Sequence, residues 1–251
     1  MENLNGKVAV VTGGARDIGK AISISLAKAG AKVIVNYFES ESQGDETVAA
    51  IEKLGGTAVA VYAEVTKQAD IDAMVKTTLD HFGPKIDILV NVAGGLFARK
   101  SIEEMDEDFY NLVMDVNLKS VFLVTKAIKP HMEKGGAIIN FASQAGRDGG
   151  GPGAAIYATS KGAVITYTRA LAKEFGPQGI RVNALCPGMI ATKFHDDFTK
   201  DEVREKVAGS TPLRREGEAK EVADLVVYLA SDQSSFITGN NIDINGGLVF
   251  S

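Results

Sequence analysis

From Lys7 to Ile244, short apolar runs alternate with longer amphipathic ones, and few folds accommodate that rhythm. The runs Lys7–Val11, Val33–Val35, Ala58–Val61, Ile86–Val90, Ala137–Phe141, Ile180–Leu185 and Ile242–Ile244 are rich in β-branched residues and bounded by Gly, Asn or Pro. Most are apolar on both faces, as strands covered from both sides must be. Between them, apolar positions recur at helical spacing over Ile18–Ala29, Gln43–Leu54, Ile71–Phe82, Phe109–Lys129, Tyr157–Phe175 and Glu218–Leu229. Strand, helix and strand in succession imply parallel neighbours joined by right-handed crossovers, hence an α/β protein with one doubly wound parallel sheet and helices on both faces. No linker-like or repeated segment interrupts the alternation, so residues 1–251 read as a single domain. Before the last strand, Met189–Leu213 reads as a helical lid over a site, or as structural packing.

Composition narrows the function. A net charge of −5 and a pI near 5.3 argue against a general nucleic-acid or anionic-membrane binder, which would want a basic surface. A small-molecule substrate is expected, with no nucleic-acid or membrane partner. The single cysteine, Cys186, can close no internal disulfide, and the histidines His81, His131 and His195 are too scattered to suggest a metal site. Residues Met1 to Lys7 contain no basic stretch leading into an apolar core, so a cytoplasmic location is expected.

The segment Thr12-Gly13-Gly14-Ala15-Arg16-Asp17-Ile18-Gly19 falls where the first strand gives way to the first helix. Glycines there let the chain turn sharply and bring backbone N–H groups and a helix N-terminus against a diphosphate. An acidic residue at the end of the second strand would bind a ribose 2′-hydroxyl and repel a 2′-phosphate, but this chain has Asn36 followed by Tyr37. The neutral Asn36 and the cation Arg16 favour NADP(H) over NAD(H), with NAD(H) still possible. The blander reading leaves Arg16 as a solvated surface side chain.

Tyr157 and Lys161 stand four apart in a helical pattern, which puts them on one face. An ammonium beside a phenol favours phenolate and eases exchange of its proton, supplying a general acid for carbonyl reduction. Ser143 follows the fifth strand, at the edge where parallel strands gather around a ligand, and could hydrogen-bond a substrate oxygen. Asn117, inside the preceding long helix, could hold a water or backbone group that connects Lys161 to solvent. Gln144 and Arg147 follow Ser143 closely, Met189–Phe198 should border the site, and Arg147, Lys193 and His195 could meet an anionic group on a substrate.

Taken in order, these pieces resemble the short-chain dehydrogenase/reductase family over essentially the whole chain. The matching segments are Thr12–Gly19, Asn91-Val92-Ala93-Gly94, Asn117, Ser143, Tyr157 with Lys161, Cys186-Pro187-Gly188-Met189-Ile190 with Thr192, Thr238-Gly239 and Gly246-Gly247. The resemblance implies that Tyr157 donates the proton, Ser143 orients the carbonyl, and Asn117 completes a proton relay. Lys161 would bind the nicotinamide ribose and lower the tyrosine pKa. It also implies that Gly13, Arg16, Asp17, Ile18, Gly19, Asn91, Ala93 and Gly94 border the cofactor. Glu64 and Val65 would lie beside its adenine, with Pro187, Gly188, Ile190 and Thr192 flanking the nicotinamide. A homotetramer is implied too, burying apolar faces of the helices beginning near Phe109 and Tyr157.

The chain departs from the family pattern at Asp17, where glycine is expected, at Val92, where asparagine is expected, and at Glu64, where aspartate is usual. Asp17 would place a carboxylate near the diphosphate. The segments Gly146–Gly153 and Met189–His195 are similar to those of members that reduce sugar-acid carbonyls, including the deoxy-ketouronate derived from alginate. The general match is also similar to 3-oxoacyl-thioester reductases. A catalytically silent dinucleotide-binding regulator is the alternative of a different class, suggested only by Asp17.

Overall fold

The computed structural model describes residues 3–193 and 198–250. Seven strands form one sheet: β1 (Val8–Thr12), β2 (Lys32–Tyr37), β3 (Thr57–Tyr62), β4 (Ile88–Asn91), β5 (Ala137–Phe141), β6 (Arg181–Pro187) and β9 (Asn241–Ile244). Their order is β3-β2-β1-β4-β5-β6-β9, and every pairing is parallel. This is the doubly wound, Rossmann-like sheet that the alternation predicts. The central strands β1, β4 and β5 are buried at every residue, which is why they read as continuous apolar runs.

Each face is covered by helices whose apolar stripes match it. α1 (Asp17–Lys28) buries Ile22, Leu26 and Ala27 on one face, beside the helix Ala219–Ala230 with its Val222, Val226 and Leu229. On the other face α3 (Gln68–Phe82) contributes Ile71 and Met74, and the helix Ala155–Phe175 contributes Leu171 and Phe175. α2 (Glu41–Glu52) starts at Ser40, whose side chain accepts from Gln43 N, a cap that satisfies one of the free first-turn donors. Among the described residues, no helix is long and apolar enough to cross a membrane.

The sequence predicts one helix over Phe109–Lys129, and here the structure differs. α4 (Glu107–Met114) passes into a π-helical turn at Asp115–Lys119 before α5 (Ser120–Ile128) and a short 3-10 turn. Within that turn Asn117 donates to Val113 O at 2.9 Å and to Gly95 O at 2.8 Å, so the wider turn accompanies an inward-facing polar side chain. Among the described residues, the lid expected at Met189–Leu213 is also only partly helical. Its described part holds a two-residue strand, β7 (Ile190–Ala191), paired with β8 (Gly217–Glu218), and one ten-residue helix, α8 (Asp201–Ser210). One short helix not expected from the sequence, α6 (Ala145–Asp148), precedes it, and α7 (Ala155–Phe175) begins at Ala155 rather than at the expected Tyr157. α9 (Ala219–Ala230) then leads to β9.

Candidate active site

In this strand order the chain runs outward in both directions from β1 and β4, and a crevice opens beyond their carboxyl ends. A cleft of about 850 Å³ lies there. At one end it is lined by the glycine turn, the loop after β2 and Glu64 and Val65; at the other by Ser143, Tyr157, Lys161 and the segment after β6.

The glycine turn is held from beneath. Asn36 accepts from Gly13 N at 3.0 Å and donates to the carbonyls of Tyr37 and Ala63 at 3.1 and 3.0 Å. Its amide therefore positions the turn, while Asn36 and Tyr37 both line the adenosine end of the cleft. Close backbone approach explains the glycines, because a Cβ on Gly13 would lie 3.2 Å from Ala93 Cα and one on Gly19 would lie 2.0 Å from Gly13 O. Asp17 occupies the left-handed region at φ 50°, which aspartate tolerates better than most residues. Asp17 lines the cleft, and its carboxylate is held on both sides: Oδ1 accepts from Lys193 N at 3.1 Å, and Oδ2 lies 3.9 Å from Arg16 Nε. At the adenosine end Lys67, 2.5 Å from the Glu64 carboxylate, holds that group below the usual carboxylate range.

At the other end the i,i+4 pair closes as the spacing predicts. Lys161 Nζ sits 5.8 Å from the centre of the Tyr157 ring and donates to Phe141 O at 2.8 Å. Tyr157 and Ser143 are hydrogen-bonded, and Ser143 Oγ also accepts from Ala145 N at 3.1 Å. Burial pushes the phenol pKa up, with the Ser143 hydrogen bond opposing, and pushes the Lys161 ammonium down to about 8. The buried phenol is held in its neutral form, the form a proton donor needs.

Asn117 is fully buried and does not line the cleft. It clasps Gly95 in both directions, donating to its carbonyl and accepting from its N–H at 3.0 Å, so the backbone group it holds is Gly95's. Gly94 fits between: a Cβ there would meet Asn117 Oδ1 at 2.6 Å and Lys161 Nζ at 3.0 Å. Val92 N and Ala93 N both donate to Thr12 Oγ1, so the loop keeps a support that does not need an asparagine at 92.

Two further expectations meet the geometry differently. Asn91 is buried under the sheet's edge, donating to Asn140 Oδ1 at 2.9 Å and to Thr125, and does not line the cleft. Arg147 points away from it, pairing with Asp243 at 3.2 Å and donating to Asn241 O, because the turn of α6 carries it beneath Ser143 toward β9. His195 lies outside the described residues. Ile18, Ala93, Gln144, Pro187, Gly188, Met189, Ile190 and Thr192 line the cleft. Sequence reasoning missed Arg99 and Leu112, which also line it, while Val203 and Val207 line it from within the expected lid segment. Arg99 was findable, since it follows the carboxyl end of β4; Leu112 is an ordinary apolar helix position.

A parallel sheet whose switch point carries a glycine turn, a buried lysine and a tyrosine–serine pair defines a dinucleotide-dependent oxidoreductase. Residues 13–249 match the family described as enoyl-(acyl carrier protein) reductase. A 3-oxoacyl-[acyl-carrier-protein] reductase of Synechocystis sp. is 42% identical over 99% of both chains. The solved short-chain dehydrogenase/reductase of Serratia marcescens superposes with a TM-score of 0.92 at 36% identity, covering 98% of both chains. A blue fluorescent protein from a metagenomic library, solved in complex with NADPH, gives 0.92 at 34% identity over 99% of this chain and all (100%) of that one. The chain belongs to the short-chain dehydrogenase/reductase family and is an NAD(P)-dependent enzyme, which disposes of the silent-regulator alternative.

The depressed lysine has a measurable consequence. An ammonium with a pKa of about 8 is lost as pH rises through that value, so the cofactor-free protein should bind dinucleotide more weakly above it. Fluorescence titration with NADPH across about pH 8 should show affinity falling with one deprotonation, and Lys161→Met should be weaker throughout and flat in that range. A wild-type profile as flat as the variant's would contradict a titrating Lys161.

Proposed function

We propose that the chain is an NADP(H)-preferring carbonyl reductase, or alcohol dehydrogenase in reverse, whose substrate is a small sugar-acid-derived ketone such as a deoxy-ketouronate. The observation that carries the chemistry is the hydrogen-bonded Ser143–Tyr157 pair with Lys161 Nζ 5.8 Å from the tyrosine ring. Residues 1–251 are read as one catalytic unit, cytoplasmic, assembled as a homotetramer through apolar faces of the helices beginning near Phe109 and Tyr157, the first of which leaves Tyr110 and, through α5, Phe122 exposed.

The residues fit a dinucleotide. Gly13 and Gly19 leave a cradle that a Cβ would fill, at the N-terminus of a twelve-residue helix. Bound nicotinamide supplies the hydride. The chain does the rest: Ser143 donates a hydrogen bond to the substrate oxygen, and Tyr157 gives that oxygen its phenolic proton. Lys161 holds the ribose and steadies the phenolate left behind, while Asn117 secures Gly95 and, through that loop, the space beside Lys161.

Arg16 supports the NADP(H) preference. Its side chain is 53% exposed at the adenosine end, and no carboxylate ends β2. Arg16→Ala should lower kcat/KM with NADPH by about tenfold while changing NADH use by less than about threefold. An equal loss with both cofactors would reject a 2′-phosphate contact.

For the substrate, Ser143, Gln144 and the Gly150–Gly151 backbone line the catalytic end, and Gln144 Oε1 is buried without a protein partner, which suits a hydroxylated ligand. A second reading, a 3-oxoacyl thioester, is favoured by the apolar Leu112, Val203 and Val207 along the cleft. Steady-state assays of ketouronates and 3-oxoacyl thioesters with both cofactors separate them. Turnover of thioesters alone would overturn the sugar-acid reading.

A further inference from the structure

We propose that Arg99 forms a carboxylate subsite at the catalytic end of the cleft, so that the preferred ketone carries a carboxylate on the same small molecule. This rests on the carbonyl-reductase reading. Arg99 lies in the loop after β4 and lines the cleft. Its Nη1 donates to Pro152 O at 3.0 Å and its Nε to Phe198 O at 3.3 Å. Lys100 N donates to Gly153 O at 3.1 Å, and a Cβ on Gly153 would lie 2.9 Å from Arg99 Cβ, so the backbone of the two loops is in close contact. The guanidinium is thereby fixed against the loop that joins Ser143 to Tyr157.

Two backbone carbonyls orient the group without neutralising it. Among the described residues no carboxylate pairs with Arg99. Two of the five guanidinium N–H groups are engaged, and the remaining donors keep the planar fork that matches a carboxylate. Arg16, the other arginine that lines the cleft, belongs to the adenosine end, and Arg147 is tied to Asp243. An exposed, oriented and unneutralised arginine in the wall of a catalytic cleft is a built receptor for an oxyanion.

The competing role for Arg99 is a structural staple between the two loops, and charge distinguishes them. 5-Keto-D-gluconate and L-sorbose differ only in a carboxylate against a hydroxymethyl group, with the same ketone. Arg99→Gln keeps length and an amide donor but removes charge, and Arg99→Lys keeps charge. Arg99→Gln should cut kcat/KM for the keto acid by about tenfold to a hundredfold, mainly through KM, and the neutral ketose by less than about threefold. Arg99→Lys should retain most of the acid preference. Equal losses on both substrates would make Arg99 a staple and overturn the subsite.

Binding gives a readout that does not need turnover. NADPH-loaded protein should bind D-gluconate more tightly than D-glucitol, and Arg99→Gln should erase the difference. If the wild type binds gluconate in this way but reduces no keto acid, the proposed substrate fails while the subsite stands. If gluconate and glucitol bind alike to the wild type, the subsite fails whatever the enzyme reduces.

Discussion

Tyr157→Phe should lower kcat for carbonyl reduction by about 100- to 10,000-fold while leaving NADPH affinity within about twofold. The substitution deletes one hydroxyl and keeps the ring, so the packing beside Lys161 and the cradle at the glycine turn are undisturbed. What is lost is the proton. Burial holds the phenol pKa above its usual value, so at neutral pH wild-type Tyr157 carries the proton that the reduced carbonyl oxygen must acquire. Ser143 remains in the variant, but an aliphatic hydroxyl is a far weaker acid and can only hydrogen-bond. Steady-state kinetics beside a cofactor titration make the check, and a variant within tenfold of wild-type turnover would remove Tyr157 from the proton-donor role. A collapse of cofactor affinity would instead mean that the phenol, rather than Lys161 and the glycine turn, holds the dinucleotide.

The parts of this site that could be read from sequence are those set by local geometry. Four-residue spacing on a helix puts Tyr157 and Lys161 together, and a glycine cluster between strand and helix marks the turn, because both depend on near neighbours in the chain. The parts that could not be read depend on where a side chain points after distant elements pack. Arg147 lies four residues past Ser143, yet the partner that claims it, Asp243, is 96 residues away on β9. Asn36 lines the cleft as its place at the end of β2 suggests, but the N–H and carbonyl that its amide satisfies, from Gly13 and from the backbone beyond β3, are not legible in the sequence. The π turn at Asn117 leaves the apolar pattern of its helix nearly unchanged, so periodicity alone reads straight through it. Burial is likewise invisible to spacing: it moves both the phenol and the ammonium toward their neutral forms.

Gly19→Ala should weaken binding of both NADPH and NADH by about 100-fold, or about 2.7 kcal/mol. In an ordinary helix the exchange of glycine for alanine is favourable by about 1 kcal/mol, and Gly19 lies within the first turn of α1. Here packing reverses the sign. The added carbon would sit 2.0 Å from Gly13 O and 3.1 Å from Gly14 Cα, and both neighbours are backbone that cannot swing aside like a side chain. The turn must open, and with it the N–H groups and helix N-terminus that would face the diphosphate; since the diphosphate is common to the two cofactors, both should suffer alike. Asp17→Gly is the matched control two residues away. Its φ of 50° already suits glycine, and its carboxylate faces Lys193 N and Arg16, so removing it should shift cofactor affinity by less than about threefold. Isothermal titration of both variants with both cofactors decides the matter. Wild-type affinity in Gly19→Ala would mean that close approach within the turn is not what holds the dinucleotide, and a large gain in Asp17→Gly would mean that the aspartate opposes the diphosphate after all.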